Sequence, residues 1–76
     1  MDKKYKYIKF NLIEKKKKTN VYACINNKNE DMLGVVKWYF SWRQYCFFPS
    51  ENTVFSVGCM DDISHFIGQL MEARKK

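Results

Sequence analysis

Over residues 4–13 the chain alternates along its length. Tyr5 and Tyr7 fall on one side, and Ile8, Phe10 and Leu12 on the other. A period of two is that of a half-buried strand. Residues 15–20 form a polar turn. Residues 21–26 read as a second strand, with Val21, Ala23 and Ile25 opposite Tyr22 and Cys24. Asn27-Lys28-Asn29-Glu30-Asp31 is a strong turn signal. Residues 32–39, rich in β-branched and aromatic side chains, predict a third strand. Phe40-Ser41 joins it to a fourth over residues 42–48, which Pro49-Ser50-Glu51-Asn52 ends. Thr53-Val54-Phe55 reads as a short extended piece at a sheet edge.

The period then changes. Ile63, Phe66, Ile67, Leu70 and Met71 fall at helical spacing and mark one face of an amphipathic helix. Asp61 and Asp62 are expected in its first turn, where the helix dipole favours negative charge. Arg74, Lys75 and Lys76 close it with the opposite sign. Ser56 or the Gly58 region caps its start. Gly68 is a weak spot, or a place of close contact with the sheet.

These elements predict an α+β fold: an antiparallel meander of four to five strands with one C-terminal helix packed on one face, a single domain over residues 1–76. On the third strand Leu33, Val35, Lys37 and Tyr39 alternate with Gly34, Val36, Trp38 and Phe40, so both faces carry apolar groups. The helix covers one. The other implies a second copy, a partner or a flat ligand.

Size sharpens this point. Seven of the 13 aromatic residues lie between Trp38 and Phe48. A domain of this length buries only about 60% of the surface its unfolded chain exposes, so some of these rings are expected at the surface. Alternation assigns Phe47, Phe55 and one of Trp38 or Tyr39 to the core. It leaves Trp42, Arg43 and Tyr45 for function.

The apolar fraction of 46% suits a globular chain. No apolar run approaches the roughly 18 residues of a membrane span, and Met1-Asp2-Lys3-Lys4-Tyr5 leads into no apolar signal region. The expectation is a soluble intracellular protein with no membrane partner. Cys24, Cys46 and Cys59, odd in number, fit reduced thiols acting as small hydrophobes.

The charge is uneven. Residues 1–18 hold eight lysines against Asp2 and Glu14, which accounts for the whole net charge of +6. Such a segment attracts polyanions; equally, it can be a solvated hairpin tip that keeps a sheet edge soluble.

Little points to catalysis. Cys59 and His65 are the only close pair with ligand chemistry, and Asp61 with His65 at i, i+4 makes half a metal site. No Gly-rich phosphate loop exists, because Gly34, Gly58 and Gly68 lie far apart. The residues predict a protein that is not an enzyme and needs no metal or cofactor. Binding is better supported. Trp38, Tyr39, Trp42 and Tyr45 interleave with Lys37 and Arg43, rings for stacking and cations for phosphate. Trp, Tyr and Arg are also the residues enriched at protein-interface hot spots.

Four stretches carry a resemblance: L-G-x-x-K-W-Y from Leu33, W-R-Q-Y-C-F-F-P from Trp42, T-V-F-S-x-G-C from Thr53 and D-I-x-x-F-I from Asp62. This pattern, over about half the chain, resembles a group of small uncharacterised proteins of bacteriophages and prophages. The resemblance implies a phage or mobile-element protein in the host cytoplasm, in a setting where such proteins bind nucleic acid, inhibit host-defence enzymes or sequester their nucleotide signals. It transfers no catalytic residue.

The expected function is therefore binding: a host-defence antagonist, or an accessory factor for nucleic acid or nucleotide. Its partner is nucleic acid, nucleotide, or a host protein or nucleoprotein complex. Lys15, Lys16, Lys17, Lys18, Lys37 and Arg43 supply charge; Trp42 and Tyr45 supply stacking or hot-spot contact. The alternative is an interaction module that homodimerises through its open sheet face.

Overall fold

The computed structural model describes residues 5–74. Strands β1 (Ile8–Lys15), β2 (Asn20–Asn26), β3 (Met32–Tyr39) and β4 (Gln44–Pro49) pair antiparallel in chain order, and helix α1 (Val57–Arg74) follows. This is the α+β meander with a C-terminal helix that the periodicity predicts.

The core lies between one sheet face and α1. Ile8, Cys24, Val36 and Tyr45 meet Ile63, Phe66 and Leu70 there, and Trp38, Phe47, Phe55, Ile67 and Met71 pack around them. Phe66 is the centre of this contact: Phe10 stacks parallel on it at 3.9 Å and Tyr22 meets it edge-on at 5.1 Å. Burying a side chain of this size contributes about 1.5–3 kcal/mol. Of the pair left open by alternation, Trp38 takes the core place and Tyr39 is exposed.

On the other face Ala23, Val35 and Phe48 lie in register across β2, β3 and β4. Ala23 is buried among its sheet neighbours, while Val35 and Phe48 are half-buried. Among the described residues no second helix lies on this face.

The structure corrects several boundaries. β1 starts at Ile8, after a bend at residues 6–7, so the period of two does not run back through the tyrosines. Tyr5 is buried edge-on to Phe10 at 5.7 Å, whereas Tyr7 is exposed. Asn27 holds this lead-in segment: its side-chain amide donates to the carbonyls of Tyr5, Lys6 and Ile8 at 3.2–3.3 Å, and its backbone N–H to that of Tyr7 at 2.9 Å. The expected start at Lys4 lies outside the described residues.

β4 starts at Gln44 rather than Trp42. Phe40-Ser41 lacks the Gly or Asn that a two-residue hairpin turn demands, and the turn widens to residues 40–43. Trp42 and Arg43 donate their N–H groups to the carbonyls of Tyr39 and Phe40 at 3.3 and 3.2 Å, and Arg43 adopts φ 53°. Residues 53–55 form no strand. Thr53 Oγ1 instead donates to the Ser50 carbonyl at 2.8 Å, and Phe55 lies edge-on to Phe47 at 5.3 Å.

Helix α1 begins a turn earlier than its acidic pair suggests. Ser56 is the cap: its Oγ accepts the Cys59 N–H at 3.2 Å, and its carbonyl accepts the Met60 N–H at 3.0 Å. Asp61 and Asp62 therefore sit in the second turn, beyond the strongest reach of the dipole. Arg74 lies in the last turn, while Lys75 and Lys76 fall outside the described residues. Gly68 makes no close approach to the sheet, for a Cβ there would meet no atom within 4 Å. Gly34 does: a Cβ would lie 2.6 Å from both the Phe47 ring and the Phe48 carbonyl oxygen.

Candidate functional site

In a four-stranded meander β1 and β3 run the same way, so their hairpin turns share one end of the sheet. The turn of residues 16–19, closed by the Lys16 N–H to the Thr19 carbonyl at 2.8 Å, therefore comes beside the turn of residues 40–43. Helix α1 ends there too. Arg74 Nη1 donates to the Lys18 carbonyl at 2.9 Å, and its guanidinium lies 4.1 Å from the centre of the Trp38 ring.

Between these elements lies a groove of about 330 Å³, lined by Lys16, Lys17, Lys18, Thr19, Val21, Lys37, Trp38, Phe40 and Arg74. Five cations border it and, among the described residues, no acidic one lines it. Lys16, Lys17 and Lys18 are exposed on one short turn, where like charges repel one another. An anion in the groove relieves that repulsion. Val21, Trp38 and Phe40 are its apolar lining, with Arg74 over the Trp38 ring, so the site combines a few apolar groups with a rim of positive charge.

The rings divide by role. Tyr45, expected to stack on a ligand, is only 6% exposed and belongs to the core. Its hydroxyl accepts the Asn20 N–H at 3.1 Å, and its ring stands edge-on to Trp38 at 5.5 Å. It braces the turn of residues 16–19 from inside. Period-two alternation puts it on the same face as Phe47, toward the helix, although its place beside the β3–β4 turn suggests a surface ring. Trp42 is 66% exposed, held edge-on by Tyr39 at 5.0 Å. Phe40, absent from the expected set, is 85% exposed at the groove. A two-residue Phe40-Ser41 connection left it no room as a surface ring; the lack of turn-forming residues after Tyr39 is the signal that the turn is longer.

Lys15 and Arg43 sit at the bases of the two turns and do not line the groove. Lys37 is among its lining residues, but its Nζ lies 4.7 Å from the centre of the Phe48 ring, on the uncovered sheet face. The N-terminal charge excess proves to be divided. Lys9 pairs with Glu30 at 2.9 Å and Lys6 lies 5.3 Å from the Tyr7 ring centre, both away from the groove. Lys3 and Lys4 fall outside the described residues.

His65 and Cys59 go to other tasks. His65 Nδ1 lies 2.9 Å from the Tyr5 hydroxyl. Among the described residues no group of three or more His, Cys, Asp or Glu comes together to hold a metal. Burial, and then the neighbouring Cys59, push the Cys24 thiol up to about 12. Burial also raises the Tyr5 hydroxyl, with Asp62 adding to it. Cys24, Cys46 and Cys59 are all free thiols, with Cys24 alone fully buried. No helix among the described residues is long and apolar enough to cross a membrane.

No protein-family model matches this chain, and no solved structure matches it significantly. A curated phage protein does. The "Uncharacterized 9.3 kDa protein" of Acholeplasma phage L2 is 37% identical over 60 residues, which cover 79% of this chain and 77% of that one. That similarity spans most of both chains and agrees with the resemblance to small phage proteins; the chain belongs to the family of this phage L2 protein.

Proposed function

We propose that this phage-family protein is a non-catalytic accessory factor that works in the host cytoplasm and binds a phosphate-bearing polymer through the groove at the hairpin end of its sheet. One observation carries the reading. The Lys16-Lys17-Lys18 turn, Lys37 and Arg74, from three separate parts of the sequence, border one groove, with no acidic residue among its described lining residues. Nucleic acid matches that chemistry, since its phosphates release counterions to cations and its bases accept apolar contact. Host-defence antagonism fits the same surface, by capture of a host nucleic acid or nucleoprotein.

Fluorescence anisotropy of a labelled oligonucleotide tests this. Affinity should fall steeply between about 50 and 200 mM salt. The triple change Lys16→Glu, Lys17→Glu and Lys18→Glu, on an exposed turn, should abolish binding with the fold intact. Absence of binding by the unaltered protein, together with a dimer mass in solution, would overturn the reading.

That dimer is the second reading, and its support is the other end of the aromatic run. Tyr39 meets Trp42 at 5.0 Å and Phe48 at 6.0 Å, an edge-to-face cluster beside the uncovered sheet face. A homodimer would bury these rings. Sedimentation equilibrium separates a monomer from it.

A further inference from the structure

Two large rings stand in water at the groove end of the sheet: Phe40 lines the groove, and Trp42 shares its turn without lining it. Phe40 is 85% and Trp42 66% exposed, on the same four-residue turn. Leaving a ring of this size unburied forgoes about 1.5–3 kcal/mol, and the core already holds Trp38 and Phe47. Their exposure on the turn that borders five cations calls for a ligand with both phosphates and free flat faces.

We propose that the groove takes single-stranded nucleic acid, with phosphates against the Lys16, Lys17 and Lys18 cations and bases stacked on Phe40 and Trp42. This rests on the polyanion reading above. A duplex keeps its base faces inside its own stack and shows only edges in its grooves, which are read by an inserted helix or ribbon. This end of the sheet presents two short turns instead. A single strand exposes every base face, and base–aromatic stacking contributes about 1–3 kcal/mol per base whatever the sequence. Phe40 has no hydrogen-bonding group, so the contact reads no base edge. Trp42 is held by Tyr39 at 5.0 Å, so its indole is partly ordered before a base arrives.

The test compares a labelled single strand of about 12 nucleotides, within the ~4–16 of one compact site, with its duplex and with heparin, at about 50 mM salt. The single strand should bind more tightly than the duplex. The double variant Phe40→Ala and Trp42→Ala, at exposed positions, should lose about 5- to 150-fold per ring for the single strand and leave duplex and heparin binding unchanged. Equal binding of single strand and duplex, or indifference of the single strand to the double variant, overturns this inference and leaves the polyanion reading standing. Absence of binding to all three overturns both.

Discussion

Arg74 stacks on Trp38, its guanidinium 4.1 Å from the ring centre, while its Nη1 donates to the Lys18 carbonyl at 2.9 Å. One side chain at the end of α1 thus fastens β3 to the β1–β2 turn and holds a wall of the groove. Replacing it with alanine should lower stability by about 1 kcal/mol, since an exposed cation–π contact contributes about 0.5–1 kcal/mol and the hydrogen bond is solvent-exposed. Lysine keeps the charge without the planar fork. Arg74→Lys should therefore recover oligonucleotide affinity and not the melting temperature, a split that calorimetry and anisotropy together reveal.

The two glycines of opposite environment should respond with opposite signs. Gly34→Ala places a Cβ 2.6 Å from the Phe47 ring and the Phe48 carbonyl. The backbone part cannot rotate away, so the cost should be about 1–3 kcal/mol. Gly68→Ala fills open space within α1 and should stabilise by about 1 kcal/mol through helix propensity. Urea midpoints at unchanged slope would establish both.

Alkaline pH should weaken the fold. The Cys24 thiol rises from 9.0 to about 12 in the folded protein. Below 9.0 both states hold the proton and stability is full. Between 9.0 and about 12 the unfolded thiol ionises while the buried one cannot, so stability falls as pH rises. Tyr5, also raised, acts in the same direction. Cys24→Ala should flatten that decline. At neutral pH a thiol reagent should label half-buried Cys46 and Cys59 first and reach Cys24 only on unfolding; labelling followed by mass spectrometry checks the order.

Phe66 anchors α1 by stacking on Phe10 and meeting the edge of Tyr22. Phe66→Leu should cost less than Phe66→Ala, which should reach about 3–5 kcal/mol. In a domain this small the alanine variant should lose most of its helical circular dichroism at room temperature.

Most of the fold is legible in the chain because two periods dominate it. Val21 to Tyr22 to Ala23 and the Ile63, Phe66, Leu70 series place their own faces correctly. The misreadings lie where a local rule stops applying. Tyr5 precedes the strand whose period was extended to it. Asp61 and Asp62 fall outside the first turn expected of them, because Ser56, one of the two expected caps, starts the helix one turn earlier. The site was half legible. Lys16, Lys17, Lys18 and Trp42 announce themselves by composition. Phe40 was hidden by a turn longer than its residues suggest, and Arg74 by a contact with Lys18 across 56 positions. The partnership of Lys37 and Arg74 with the lysine turn is a product of topology, which no local window contains.

Backbone amide chemical-shift mapping locates a bound polyanion most directly. On titration with a single-stranded oligonucleotide at low salt, shifts should concentrate at residues 16–19, Lys37, residues 40–43 and Arg74. Lys6 and Lys28, exposed cations away from the groove, and Lys9, paired with Glu30, should stay near their free positions. Shifts spread evenly over all lysines, or confined to the uncovered sheet face around Val35 and Phe48, would contradict the account.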